Sequence, residues 1–214
     1  MIKRKVLYSA LYSSFSPFHV LVKNVKRIFK PTELQEIDSY LVVWGGEDIA
    51  TSLYNEVPNK FCAGNSLSSR DIFERDLILK AIELKIPVIG ICRGAQLACA
   101  LLGGKLVQHV NNHGSDHLIA TNNNKIMSSS SLHHQMMIPA GQYQILAESY
   151  PAPLSLYYIG ENELHLNIKI EPEIVLWPDQ LVLGIQGHPE FMSYDSLFVQ
   201  HCLQLVQETF NEKF

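Results

Sequence analysis

Apolar residues along this chain follow two rhythms. In the first half, short unbroken apolar runs alternate with stretches whose apolar positions recur every three or four residues. Lys5 to Leu11 and Ser39 to Trp44 are runs of the first kind, and the second ends in Gly45-Gly46, as a strand buried on both faces does. Pro87 to Ile91 is a third such run. Between them, His19 to Phe29 reads as an amphipathic helix. Ser69 to Leu84 reads as another, with Phe73, Leu77, Ala81 and Leu84 on one face and Ser68 or Ser69 able to cap the start. Arg93 to Leu102 reads as a helix stopped by Gly103-Gly104. From 105 to 186 the pattern changes to short strand candidates separated by turn signals such as Asn122-Asn123-Asn124 and Gly160-Glu161-Asn162. The serine run from Ser128 to Ser131 reads as the opening of a loop, and a helix from about Tyr194 to Asn211 closes the pattern. Strand–helix alternation followed by strands predicts an α/β fold: a three-layer sandwich around a central, mostly parallel sheet with antiparallel additions. No internal repeat or long linker interrupts it, so residues 1–214 read as a single domain.

Composition narrows the function classes. The chain has 214 residues, 47% hydrophobic and 18% charged, a globular balance with enough length for one sizeable core. A net charge of -4 and a pI of about 6.1 imply no basic face for a phosphate backbone, so nucleic acid is not an expected ligand. No apolar run reaches the roughly 18 residues that a membrane span needs. Met1 to Lys5 is basic and Val6-Leu7-Tyr8 is apolar, in the manner of a signal peptide. Ser, Tyr and Pro interrupt that stretch and no small-residue cleavage site follows, so it reads as a first buried strand. Cys62, Cys92, Cys99 and Cys202 form no C-x-x-C pair, and a chain of this length does not need disulfide staples; a reducing cytoplasm is the expected compartment.

The candidate chemistry centres on Gly90-Ile91-Cys92-Arg93-Gly94, between a buried strand and a helix that begins at once. This is the G-x-S-x-G nucleophile elbow with Cys in place of Ser. A tight, strained turn needs small flanking residues, and it aims the tip side chain out over the strand ends. A helix N-terminus favours thiolate over thiol. The backbone N–H of Arg93, next in the chain, can stabilise a developing oxyanion. The Arg93 side chain has two readings: its cation favours the thiolate, or it pairs with a buried carboxylate such as Glu74. Cys99 lies mid-helix among Leu97, Ala98, Ala100 and Leu101 and reads as packing; Cys62 and Cys202 have no setting that suggests chemistry.

A thiolate nucleophile needs a proton acceptor, and the acceptor needs a group to orient it. Leu183-Gly184-Ile185-Gln186-Gly187-His188-Pro189-Glu190 offers both at the end of a strand. Residues two apart in an extended segment point to one side, and Pro189 biases His188 toward extended backbone. Glu190 can therefore reach the His188 imidazole, fix its tautomer and stabilise the imidazolium. The chain order Cys, His, Glu differs from the α/β-hydrolase order, in which the acid precedes the His.

The motifs Gly90-Ile91-Cys92-Arg93-Gly94-Ala95-Gln96 and Gln186-Gly187-His188-Pro189-Glu190 closely resemble those of the class I glutamine amidotransferase superfamily. Three further stretches resemble its γ-glutamyl hydrolase branch, peptidase C26, which includes the γ-glutamyl-γ-aminobutyrate hydrolases. They are Gly45-Gly46-Glu47-Asp48-Ile49-Ala50-Thr51-Ser52-Leu53-Tyr54-Asn55-Glu56, the Arg70-Asp71 helix leading into Ile86-Pro87, and Ser131-Leu132-His133-His134-Gln135. The five motifs stand in the family's order and span roughly residues 38 to 205. The resemblance implies a flavodoxin-like class I glutamine amidotransferase fold and hydrolysis of a γ-glutamyl amide through a Cys92–His188–Glu190 triad and a thioester. It implies an oxyanion hole from the N–H groups of Gly45, Gly46 and Arg93, and substrate contacts from Gln96, Ser131, Leu132, His133 and His134. No cofactor is implied. Glu47 and Thr51 depart from the family's Gly and Pro. Gly187 stands where an aromatic residue is usual, which predicts a wider or looser pocket.

Some readings stay open. His109, His113 and His117 have the four-residue spacing of helical metal ligands, but Asn111, Asn112 and Gly114 argue against a helix, so no metal site is expected. Arg70 and Asp71 read as caps of their helix. The same Cys92 chemistry would serve a glutaminase subunit that passes ammonia to a synthetase or ligase partner, and a homodimer is equally open. A non-catalytic binding protein on this fold is the third reading, against which the intact triad argues.

Overall fold

The carboxyl ends of three neighbouring parallel strands meet at one edge of the sheet, and the rest of the fold supports that edge. The computed structural model describes residues 4–10, 16–35, 39–151, 157–159, 162–164 and 169–211. In chain order the strands are β1 (Arg4–Ala10), β2 (Val22–Ile28), β3 (Ser39–Val43), β4 (Val88–Ile91), β5 (Lys105–Val107), β6 (His109–Val110), β7 (His117–Thr121), β8 (Ile126–Ser129), β9 (Met136–Ile138), β10 (Gln144–Tyr150), β11 (Tyr157–Ile159), β12 (Asn162–Leu164), β13 (Pro172–Trp177) and β14 (Val182–Ile185). The helices are α1 (Ser69–Glu83), α2 (Arg93–Leu101) and α3 (Leu197–Asn211).

Nine strands form the main sheet, in the order β2-β1-β3-β4-β14-β13-β10-β7-β8. From β2 to β14 every pairing is parallel, and from β14 to β8 every pairing is antiparallel. Two small sheets, β12-β11-β6 and β5-β9, lie beside it.

Alternate strand residues feed two cores, one on each face. Tyr40, Val42, Ile89, Ile91, Leu183 and Ile185 pack toward Phe198, Val199, Cys202 and Val206 of α3. Leu41, Val43, Val88 and Val182 pack toward Leu77, Ile78 and Ala81 of α1 and Leu97, Ala98 and Cys99 of α2. This is the three-layer α/β sandwich that the sequence predicts. Burial pushes the Cys99 thiol up to about 12, as suits a packing residue.

The segment His19 to Phe29 departs from expectation. Phe18–Leu21 makes a single 3₁₀ turn, and Val22–Ile28 is β2, the edge strand beside β1. The valines and isoleucine that recur at helical spacing are β-branched, and the sheet offers them pairing partners along β1. Lys23, Lys26 and Arg27 on β2 are exposed, which blunts the free edge against further strand addition. The last helix begins at Leu197 rather than near Tyr194, where the Ser196 hydroxyl accepts the Val199 N–H at 3.3 Å.

Helix α1 starts in a capping box: Ser68 Oγ accepts the Asp71 N–H at 3.0 Å, and Asp71 Oδ2 accepts the Ser68 N–H at 2.9 Å. The other Asp71 oxygen takes Arg93 Nη2 at 2.6 Å, and Arg93 Nη1 bonds Glu74. All three side chains are buried. Of the two open readings of Arg93, the structure shows the buried carboxylate pairing. Removing this guanidinium would leave the buried Asp71 carboxylate without its cation and Glu74 with Arg70 alone. Arg93→Ala should therefore lower folding stability by about 3–5 kcal/mol, read as a shift in the urea unfolding midpoint.

Candidate active site

Register brings the pieces together. Val43 of β3 pairs with Gly90 of β4, and Ile185 of β14 pairs with Ile91. The residues that follow each strand, Trp44-Gly45-Gly46, Cys92 and Gln186 to Glu190, therefore emerge side by side at one edge, where open α/β sheets bind ligands. Trp44, Gly45, Gly46, Cys92, Leu132, His188, Glu190 and Phe191 line a cavity of about 460 Å³ there, a size that suits a small molecule.

Cys92 sits at φ 48° and ψ -106°, a left-handed conformation that costs a non-glycine residue about 1–3 kcal/mol. Its neighbours hold it there. Its N–H donates to Ile185 O at 2.7 Å, and its carbonyl accepts the Gln96 N–H at 3.0 Å. Gly94 follows because the turn runs against β3: a Cβ there would lie 2.1 Å from Val43 O. As the first residue of α2, Arg93 carries a backbone N–H that the helix itself does not use.

His188 Nδ1 lies 2.8 Å from Glu190 Oε1, and the His188 N–H donates to Ser130 O at 2.9 Å. Phe191 stacks on the imidazole with centroids 4.8 Å apart and planes within 12°. Gly45 passes so close that a Cβ would meet His188 Cε1 at 2.6 Å. Burial alone would push the imidazole down; hydrogen bonds with Cys92 and Glu190, and the charges on both, outweigh it and raise His188 to about 10.

Arg70, read from sequence only as a cap, does more. Its Nη2 donates to Trp44 O at 3.1 Å and Gly45 O at 2.9 Å, while its Nε bonds Glu74 Oε1 at 2.9 Å. Fixing those two carbonyls fixes the peptide planes that carry the Gly45 and Gly46 N–H groups. Trp44 and Phe191 are further cavity residues that the sequence reading passed over. Each adjoins a quoted motif, Trp44 before Gly45 and Phe191 after Glu190, and that adjacency was the available signal.

The expected substrate contacts divide. Leu132 lines the cavity and is 64% exposed. Gln96, Ser131, His133 and His134 are not among the lining residues. Gln96 is buried with its Nε2 on Gln135 O at 3.2 Å, and the Ser131 hydroxyl donates to His113 O at 2.5 Å. His134 bonds Asp48 at 3.0 Å, and His133 is buried with its Nδ1 2.9 Å from Gln135 O. Of this segment, which lies between β8 and β9, Leu132 alone is among the lining residues. Glu47 is exposed and outside the lining set.

Gly187 does not widen the pocket. It is buried and faces away from the cavity, where a Cβ would lie 2.1 Å from Ser129 Oγ and 3.0 Å from Phe198 Cζ. The chain has closed the space that a ring would fill.

No helix forms around His113 and His117, in keeping with Asn111, Asn112 and Gly114. The loop nevertheless folds so that both histidines meet His133 and Glu173, with one donor atom of each within 4.8 Å of the others. His109 is elsewhere, stacked on Phe61 and 3.3 Å from His134.

A family model for peptidase C26 matches residues 17–152. NtpR of Enterococcus hirae is 29% identical over 176 residues, 73% of this chain and 68% of that protein. A γ-glutamyl-CDP-amidate hydrolase of Campylobacter jejuni is 31% identical over 118 residues, 50% of this chain and 54% of the relative. Among solved structures, a glutamine amidotransferase from Thermotoga maritima superposes with a TM-score of 0.58 at 14% identity, covering 99% of this chain and 93% of that one, a likeness of fold.

The Gly187 packing makes a prediction. Gly187→Ala should cost about 1–3 kcal/mol of stability by overpacking against Ser129. Adding Ser129→Ala, which removes the offending oxygen, should recover much of that loss in thermal unfolding.

Proposed function

The chain belongs to the peptidase C26 family, and from that premise we propose that it hydrolyses a γ-glutamyl amide with Cys92 as nucleophile, His188 as proton carrier and Glu190 as its orienter. The single observation that carries this reading is that Cys92 and a His188 hydrogen-bonded to Glu190 open into one cavity beside the Gly45-Gly46 turn.

In this reading Cys92 Sγ attacks the γ-carbonyl carbon, and the oxygen gathers negative charge against the N–H groups of Arg93 and the Gly45-Gly46 turn. The carbon–nitrogen bond breaks as His188 gives its proton to the leaving amine, which departs neutral. Water then adds to the thioester while His188 takes one of its protons. Glutamate leaves and the sulfur is regenerated. Glu190 on Nδ1 leaves Nε2 for the sulfur, the tautomer that both transfers need. Arg70 acts as a positioning residue through the carbonyls of Trp44 and Gly45.

A second reading, a glutaminase that delivers ammonia to a synthetase or ligase partner, draws support from the cavity rim. Leu132 and Phe191 are 64% and 62% exposed there, the kind of apolar surface that a partner covers. The experiment is hydrolysis of a panel by purified protein, followed by mass spectrometry: glutamine, γ-glutamyl-γ-aminobutyrate, γ-glutamyl-putrescine, a poly-γ-glutamate and a γ-glutamyl-CDP-amidate. Glutamate released from a conjugate is expected, and Cys92→Ala should abolish it; activity on glutamine alone would favour the partner-dependent reading.

Two measurements test the roles. Glu190→Gln should lower kcat on the order of 10²–10⁴-fold, and a wild-type rate would remove Glu190 from the triad. His188 keeps its proton up to about pH 10 and loses it above, so activity should fall on the alkaline side near that value. The Glu190 carboxylate helps hold that proton, so in Glu190→Gln the alkaline limb should move to lower pH.

A further inference from the structure

We propose that His113, His117, His133 and Glu173 form a binding site for one divalent transition-metal ion, with zinc the best match, distinct from the Cys92 cavity. None of the four lines that cavity. His113 stands in the turn before β7, His117 opens β7, His133 lies in the segment between β8 and β9, and Glu173 is on β13.

The inward-facing nitrogens converge on one carboxylate oxygen. From Glu173 Oε1, His117 Nε2 is 3.1 Å away, His113 Nδ1 3.2 Å and His133 Nε2 3.6 Å. Around a tetrahedral ion with bonds of about 2.0 Å, neighbouring donor atoms stand about 3.3 Å apart. The outer nitrogen of each ring is already engaged: His113 Nε2 with Glu171 Oε2 at 3.1 Å, His117 Nδ1 with Ser115 O at 3.2 Å and His133 Nδ1 with Gln135 O at 2.9 Å. A carboxylate or carbonyl on the outer nitrogen is how metal-bound histidines are oriented.

A plain hydrogen-bond network explains this arrangement less well. Three imidazoles crowd an oxygen with two lone pairs, while Glu173 Oε2 is buried with no hydrogen bond among the described residues. His113 Nδ1 and His133 Nε2, both buried, approach Glu173 Oε1 at 3.2 and 3.6 Å but outside regular hydrogen-bond geometry. Their direction suits a shared ion better than a shared oxygen. Three imidazoles and one carboxylate suit zinc, iron or nickel rather than magnesium or calcium. Four protein donors close a tetrahedral site, which makes it a structural one. The ion would pin the turn before β7 and the segment bearing Leu132 to β13.

The test is a cobalt(II) titration of chelator-treated full-length protein, with zinc as competitor and elemental analysis for stoichiometry. One equivalent should bind, give the visible bands of a tetrahedral nitrogen–oxygen site and raise the unfolding temperature. His117→Gln alters the most accessible ligand and should weaken binding by more than about 100-fold, and Glu171→Gln by about 10–100-fold. Circular dichroism checks that both variants fold. If they do not, the wild-type spectrum decides. No uptake, thiolate-to-cobalt charge-transfer bands, or unchanged affinity in folded variants would overturn the assignment.

Discussion

A guanidinium withdrawn from water must be paired, and the pairing of Arg93 sets the geometry of this molecule. Asp71 and Glu74 hold it from one face of α1, so the first residue of α2 is tied to a neighbouring helix by two charged contacts. Desolvating three charged groups gains little net stability over an apolar core; what such a cluster supplies is a fixed arrangement, since any sliding of α1 would leave a charge unpaired. Glu74 also bonds Arg70, and Arg70 holds the carbonyls of Trp44 and Gly45. One chain of charged contacts thus joins the turn at Cys92 to the turn at Gly45, two of the three walls of the cavity.

The third wall arrives by sheet register. β14 pairs with β4 on the side opposite β3, so Gln186 to Glu190 enters beside Cys92 without any further device. The strain at Cys92 is sustained because β14, α2 and β3 each fix a neighbouring atom. A side chain in an unfavourable backbone conformation needs such over-determination, and here it comes from the most buried part of the sheet.

Much of this was legible in the sequence. The strands β3, β4 and β14 are apolar runs that end in residues with chemistry, and the order of those endings carried both the fold class and the proposed triad. Even the capping box at Ser68 and the pairing of Arg93 with Glu74 lay within reach of spacing and charge. Edge strand β2 was not legible, because Val22, Val25 and Ile28 satisfy a helical period as well as a strand, and only the neighbour β1 decides between them. The interior of the 131–135 segment was hidden for a related reason. A motif says that residues matter together, but only the backbone path says which side chains face the cavity, and it turns Leu132 in while it turns His133 away. The His113–His117–His133–Glu173 cluster was hidden most deeply, since its members are up to sixty residues apart and its histidines approach one another through a loop with no period to read.

The segment that bears Leu132 lies between two polar constructions. On one side the His188 N–H donates to Ser130 O; on the other His133 reaches the carboxylate of Glu173, whose own carbonyl accepts the Gln186 N–H at 2.8 Å. Both ties lead back to the strand end that carries His188 and Glu190. The wall of the cavity and its proposed proton carrier are therefore parts of one connected polar unit, joined by the Ser130 hydrogen bond and by the approach of His133 to Glu173. A change in the His–Glu cluster has a short physical path to the cavity through Ser130 and Gln186, with no movement of α1 or α2 required. The Arg93 clamp fixes the Cys92 side of the cavity and the His–Glu cluster lies behind the Leu132 side, so the two halves can vary separately: one holds the proposed nucleophile and oxyanion turn, the other shapes the opposite wall.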